Sequence, residues 1–281
     1  MTHSVHFSTV ERSTLFRGVD TALIRDLFAN KKLETPQLLL SASEVGRNYD
    51  ALKQALPRAT IHYAVKSNNH PGIIREVFDR GGNFDVCSLG EIREVLKFGI
   101  DPASLVHSHP VKSIREFDGA VQEGLELFVV DNPDEIRKLA RYRDKKLKIL
   151  IRFRIYTNTT AVVNLQYKFG CTPDDVLPLA RQIQETGHEF YGLCFHIGSQ
   201  CLYAENYIGA IEAARDLIFQ LDMAGFNTRL LDIGGGFPVE YVEPIPTIQD
   251  ICRPINKALN DMIRPGIKVI CEPGRFISAS P

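Results

Sequence analysis

The sequence contains no uninterrupted apolar run approaching the roughly 18 residues of a membrane-spanning helix. Its first residues, MTHSVHFSTVERSTLF, lack the basic start and apolar core of a secretory leader, so a cytoplasmic location is expected. Charge of one sign is also missing. With 33 basic and 34 acidic residues the net charge is −1, which gives no electrostatic basis for nucleic acid or an anionic membrane as partner. A small-molecule substrate is the class that remains. The six cysteines (Cys87, Cys171, Cys194, Cys201, Cys252, Cys271) form no C-x-x-C pair and no metal-ligand spacing, and are expected as reduced, mostly buried thiols. No G-x-S-x-G elbow or Ser-His-Asp order supports a hydrolase. No internal repeat, low-complexity tract or Pro/Gly-rich linker divides the chain, so one large domain is expected.

What is present is an alternation of short β-rich runs with longer amphipathic stretches across 281 residues that are 44% hydrophobic. After a lead-in that includes PQLLL (36–40), the runs are TIHYAV (60–65), NFDVCS (83–88), SLVHS (104–108), LELFVV (125–130), LKILIRF (147–153), EFYGLCFHI (189–197), RLLDI (229–233) and KVICE (268–272). Stretches such as GIIREVFDRGG, SLGEIREVLKFG and AENYIGAIEAARDLIFQLDMAG lie between them, several opening on Ser, Asn or Thr and closing on Gly. Ser88 with Glu91 and Thr172 with Asp175 have capping-box spacing. Eight strand-helix units predict an α/β fold, a closed (β/α)8 TIM barrel over 36–281 preceded by a lead-in over 1–35. Chemistry in such a barrel gathers at the C-terminal ends of the strands. Lys66 follows run one, Asp85 lies in run two, Arg154 follows run five, His196 ends run six, Gly234, Gly235 and Gly236 follow run seven, and Glu272 ends run eight.

These residue types share a purpose. A lone lysine at a strand end is ordinarily a solvated surface residue, but on an inward rim partial desolvation lowers the amine pKa and makes Lys66 a nucleophile toward an aldehyde. The triple glycine lacks dinucleotide spacing and by itself is a tight turn. Its place after the seventh strand makes it half of a phosphate cradle, with Gly274 and Arg275 of EPGR as the other half. Glu272 either pairs with Arg275 or Arg154, or faces a pyridine nitrogen and keeps the ring electron-poor. His196 is either a satisfied core histidine or a flat ring for stacking, with Ser199 in reach of phosphate. An imine-forming lysine, a phosphate cradle and a carboxylate are the parts that pyridoxal phosphate needs.

YAVKSN, FDVCSLGE, KFG (168–170), FHIGSQ, LDIGGGFP and EPGRF, in this order, closely resemble the fold-type III pyridoxal-phosphate decarboxylases. These are alanine-racemase-type barrels that include the ornithine, arginine and diaminopimelate decarboxylases. The match runs from about residue 35 to the end, and SHPVKS (108–113) with LDIGGGFP is more similar to the ornithine branch. The resemblance implies decarboxylation of a basic amino acid, ornithine first, through an imine on Lys66. His196 would stack on the ring, Ser199, Gly235, Gly236 and Arg275 would hold phosphate, Glu272 would face the pyridine nitrogen, and Asp85, Arg154 and Glu91 would line the site near the imine.

Two departures stand out. Ornithine decarboxylases usually have an acidic pair where this chain has Tyr156-Thr157-Asn158-Thr159-Thr160. Family members also continue past EPGR into a C-terminal β-domain, absent here, that completes the site across a dimer interface. The expected partners are therefore an amino-acid substrate and either a second copy, in a weakened homodimer, or a chain supplying that domain. A non-catalytic pyridoxal-phosphate barrel, an antizyme-inhibitor-like partner and a racemase are the alternatives.

Overall fold

The computed structural model describes residues 21–30, 39–155, 168–241 and 243–279. Eight strands close into a barrel in sequence order: β1 (Thr60–Ala64), β2 (Asn83–Val86), β3 (Val106–His107), β4 (Leu127–Val130), β5 (Lys148–Arg152), β6 (Glu189–Cys194), β7 (Leu230–Asp232) and β8 (Lys268–Cys271). Every neighbouring pair is parallel, and β8 returns to β1 through Thr60↔Ile270 and Ile61↔Cys271. The helices are α1 (Thr21–Ala29), α2 (Ala42–Ala55), α3 (Pro71–Asp79), α4 (Leu89–Leu96), α5 (Ile114–Gln122), α6 (Pro133–Leu139), α7 (Val176–Glu185), α8 (Ala204–Met223), α9 (Ile248–Met262) and α10 (Arg275–Ser278). This is the expected (β/α)8 barrel.

Successive strand residues point to opposite faces, and two separate apolar clusters show which face is which. Val106, Leu127, Val129, Leu150, Cys194, Leu230 and Ile270 form the small interior cluster, with Tyr191 packed against it. Ile61, Tyr63, Phe84, Val86, Phe128, Ile149, Ile151, Leu193, Leu231 and Val269 belong to the large layer between the strands and the helices. Two residues beyond Val106, Val129, Leu150, Cys194, Leu230 and Ile270, the chain places Ser108, Asp131, Arg152, His196, Asp232 and Glu272 at the C-terminal ends of their strands, and Lys66 follows β1.

Local signals set the helix starts. Ser88, Ser113, Asn132 and Thr247 each accept the backbone N–H three residues on, from Glu91, Glu116, Glu135 and Asp250. The Ser88 box differs from expectation, because Glu91 reaches the N–H of Cys87 (2.7 Å) instead of Ser88. The Thr172 box holds: Asp175 accepts from both the Thr172 N–H and its hydroxyl.

Other boundaries shift as well. The third run shrinks to two strand residues because Asp101 caps a 3-10 turn at Pro102–Ser104. The sixth strand stops at Cys194, leaving His196 in the following loop. Of PQLLL, residues 36–38 lie outside the described part, and Leu39 and Leu40 are not in a strand; residues 156–160 also lie outside it. The six cysteines are free thiols, five of them buried.

Candidate cofactor site at the C-terminal mouth

A cavity of about 380 Å3 opens at the C-terminal mouth, lined by Ala64, Lys66, Ser67, His196, Ser199, Gly236, Glu272, Gly274, Arg275, Ser278 and Ala279. Residues from runs one, six, seven and eight meet there, as the sequence predicts.

Lys66 lies in a 3-10 turn (Val65–Ser67) that ends β1, with its stem open to the cavity. Its Nζ donates to Asp85 Oδ2 at 2.9 Å and lies 3.6 Å from Cys87 Sγ. Loss of solvent pushes the ammonium pKa down, but the carboxylate charges of Asp85 and Glu272 outweigh it and hold Lys66 well above the ordinary lysine range. The pKa is therefore raised, not lowered as expected: desolvation is present, and carboxylates overrule it.

Glu272, at the end of β8, is buried with Oε1 unpartnered. Burial first, then the Asp85 charge, pushes its pKa up, while Lys66 and Arg152 pull it down. Among the described residues it makes no ion pair with Arg275 or Arg154. Arg275 instead donates to Ser199 Oγ (3.2 Å) and the Tyr241 hydroxyl (2.5 Å), and Arg154 donates twice to the Gly170 carbonyl (3.2 and 2.8 Å).

The glycines are required by close approach. Gly234 (φ +67°) and Gly236 (φ +108°) adopt left-handed backbone, and a Cβ on Gly234 would stand 2.4 Å from the Phe195 carbonyl. A Cβ on Gly235 would stand 2.4 Å from the Glu272 carbonyl and 3.6 Å from His196 Nε2, so the imidazole packs over bare backbone. His196 Nδ1 accepts from the Gly198 N–H at 3.0 Å, and burial, with the charges of Arg152 and Lys66, keeps the ring neutral well below its usual pKa. Four bonds tie the FHIGSQ loop, Cys201 and α8 to the glycine loop. Gln200 exchanges two with Val239, and the Cys201 N–H donates to the Gly236 carbonyl (2.9 Å). The buried Tyr207 hydroxyl donates to the Gly235 carbonyl (2.9 Å).

Of the expected residues, Asp85, Gly234, Gly235, Arg154 and Glu91 do not line this cavity; Asp85 acts on it through Lys66, and Gly234 and Gly235 through the turn that ends in Gly236. Arg154 lines a neighbouring cavity of about 360 Å3 with Asp131, Gly170 and Asp175, and Glu91 is turned to the Cys87 amide. Two residues that sequence reasoning missed are instead close to the chemistry. Arg152 acts electrostatically on both His196 and Glu272, with its guanidinium 5.3 Å from the Phe169 ring centroid. Asp232, 1% exposed, is hydrogen-bonded to Glu272. Strand alternation was the available signal, since Arg152 is two residues past the interior Leu150 and Asp232 two past Leu230.

The residues present fit pyridoxal phosphate. A lysine amine, a buried acceptor with no partner and a cradle closed to side chains, with a guanidinium and a hydroxyl beside it, meet at one mouth. Fold and site together define a barrel for a phosphorylated aldehyde cofactor. Residues 42–279 match the family model described as the pyridoxal-binding domain of pyridoxal-dependent decarboxylases, and the chain belongs to that family.

It is 34% identical to the lysine/ornithine decarboxylase of Selenomonas ruminantium over 88% of its length, covering 62% of that protein. It is 30% identical to antizyme inhibitor 2 of Xenopus laevis over 98% of its length, covering 60% of it. The structure of the lysine/ornithine decarboxylase of Vibrio vulnificus complexed with putrescine superposes with a TM-score of 0.83 at 35% identity, covering 91% of this chain and 67% of that one. The chain thus spans between 49% and 62% of the length of the curated relatives it matches.

Proposed function

We propose that this chain is the cofactor-carrying barrel of a pyridoxal-phosphate-dependent decarboxylase for a basic amino acid, with ornithine as first substrate and lysine, arginine and diaminopimelate after it. The observation that carries this reading is the convergence of Lys66, His196, Glu272, Gly236 and Arg275 on one cavity. When bound, pyridoxal phosphate supplies a ring that accepts the electron pair left by departing carbon dioxide. The chain's own residues hold and orient it. Lys66 provides the amine for covalent attachment and Asp85 holds that amine on the rim. Glu272 Oε1 would accept the hydrogen bond of a protonated ring nitrogen and keep it protonated, and neutral His196 would cover one ring face. Ser199, Arg275, the amides of Gly235 and Gly236, and Gly274 receive the phosphate, while Gly234, whose amide is held by Asp232, shapes the turn that presents them. Arg152, rather than Arg154, supplies the cation beside the ring.

The reading includes the barrel as a unit over 36–281, a cytoplasmic address, and a site completed by a second copy or by a chain carrying a further domain. Among the described residues no helix is long and apolar enough to cross a membrane.

The test is the visible spectrum after incubation with pyridoxal phosphate, followed by borohydride reduction and peptide mapping. Cofactor trapped on Lys66 supports the reading; no trapping on Lys66 removes it. Release of carbon dioxide from ornithine, lysine, arginine or diaminopimelate then ranks the substrates. Similarity to an antizyme inhibitor over 98% of the chain favours a second reading, a non-catalytic partner. Retention of Lys66 argues against it, because a binding partner has no use for an amine at that position, and trapping separates the two.

A further inference from the structure

Asp232 is the last residue of β7, shares the interior parity of Leu230, and stands in register with Ile270, two residues before Glu272. It is 1% exposed and has two partners on two different strand ends. Its Oδ1 accepts the Gly234 N–H at 2.8 Å, which fixes the first residue of the glycine turn. Its carboxyl is also hydrogen-bonded to that of Glu272 on β8. Two carboxyl groups in that contact need a proton between them, since two anions would repel.

We infer that Asp232 is a positioning residue for the cofactor site: it keeps the shared proton, donates it toward Glu272 as an oriented anion, and anchors the glycine turn by the Gly234 amide. The surroundings decide which partner is the acid. Glu272 faces the cations Lys66 and Arg152, which favour its ionised form. Asp232 has the Gly234 amide as its favourable partner, against full burial and the charges of Glu272 and Asp85, and the thiols Cys194 and Cys271 are the other titratable groups near it. A protonated aspartic acid has one donor, which goes to Glu272. That bond turns the carboxylate so that the unpartnered Oε1 is the oxygen left for a ligand. One side chain thereby sets both the ring-facing anion and the start of the phosphate-side turn.

The pyridoxal half of this inference rests on the proposed function, and the shared proton does not. The first experiment therefore needs no cofactor: the infrared C=O stretch of a buried protonated carboxyl, read by its shift in heavy water at pH 7. The wild type is expected to show it and Asp232→Asn to lack it. No such signal in the wild type, or its persistence in Asp232→Asn, overturns the assignment.

The second experiment measures pyridoxal-phosphate affinity by absorbance titration. Asp232→Asn keeps an acceptor for Gly234 and a donor for Glu272 and is expected within about 3-fold of wild type, whereas Asp232→Leu, which keeps neither, loses about 10-fold or more. Asp232→Ser replaces the leucine variant if circular dichroism shows that the latter is unfolded. Wild-type affinity in the leucine or serine variant overturns the coupling. A wild type that takes up no cofactor sinks the proposed function, while the infrared result still decides the shared proton.

Discussion

Lys66 and Asp85 form an ion pair of 2.9 Å in which the carboxylate is fully buried and keeps one oxygen, Oδ1, without a partner. The pair joins the ends of β1 and β2, whose register places Ala64 opposite Asp85. This contact holds the amine as an ammonium, which is not a nucleophile.

Capture of an aldehyde should therefore accelerate with pH. The Lys66 pKa lies above its ordinary value, so the free amine is scarce at pH 7 and grows about tenfold per pH unit up to that raised value. Asp85→Asn removes the nearest carboxylate and should speed pyridoxal-phosphate capture at pH 7 to 8 while flattening the pH dependence. Stopped-flow absorbance measures both; a capture rate independent of pH in the wild type contradicts the locked-ammonium picture.

Lys66→Ala should lose the visible band and all borohydride trapping while retaining weaker, phosphate-dependent binding. Equilibrium dialysis with pyridoxal phosphate and with pyridoxal separates the two contributions.

Arg275→Ala should narrow the affinity gap between pyridoxal phosphate and pyridoxal. A charge-assisted hydrogen bond contributes about 1.5 to 3 kcal/mol, which corresponds to roughly 10-fold to 100-fold in affinity. Equal weakening of both ligands would place Arg275 away from the phosphate.

Gly235→Ala should destabilise the fold by about 1 to 3 kcal/mol, the usual effect of overpacking, because its Cβ would meet a backbone carbonyl rather than a side chain that can move. Urea unfolding of the cofactor-free protein reads this directly.

His62 and His107 should make the barrel sensitive to acid. Burial, the dominant cause for each, lowers their pKa values to about 4 and about 3, below the ordinary 6.5. The unfolded chain thus binds more protons between those values and 6.5, so stability is fully present above pH 6.5 and falls as pH drops. Each unit of depression corresponds to about 1.4 kcal/mol, so the loss by pH 4 amounts to several kcal/mol. His107 stacks on Phe128 with both ring nitrogens unpartnered. His107→Phe should flatten the pH dependence of the urea midpoint and leave the protein at least as stable at pH 7.

The barrel was legible because its signals are local. Alternation, caps and turn glycines fix eight units, and their order fixes the rim. Lys66, His196, Ser199, Gly236, Glu272, Gly274 and Arg275 could be gathered from sequence since each lies at or just beyond a strand end, and the closed sheet brings those ends together. Arg154, the residue expected from sequence, lies too far along the strand direction, and Arg152 takes its place at the mouth. Both have interior parity, but two further residues carry Arg154 past the mouth to the Gly170 carbonyl. Asp232 stayed hidden inside an apolar run, where an acid reads as a strand end. The state of Lys66 could not be read at all, because it depends on carboxylates that arrive from β2 and β8.

The polar groups gathered at the mouth form an electrically balanced set. Asp85, Asp232 and Glu272 contribute three acids, Lys66 and Arg152 two cations, and the one proton retained between Asp232 and Glu272 completes the balance. Cations and protons are therefore interchangeable currency at this mouth. A variant that deletes either basic side chain should draw in a replacement proton, and a ligand that arrives carrying its own proton on a ring nitrogen should release one to solvent.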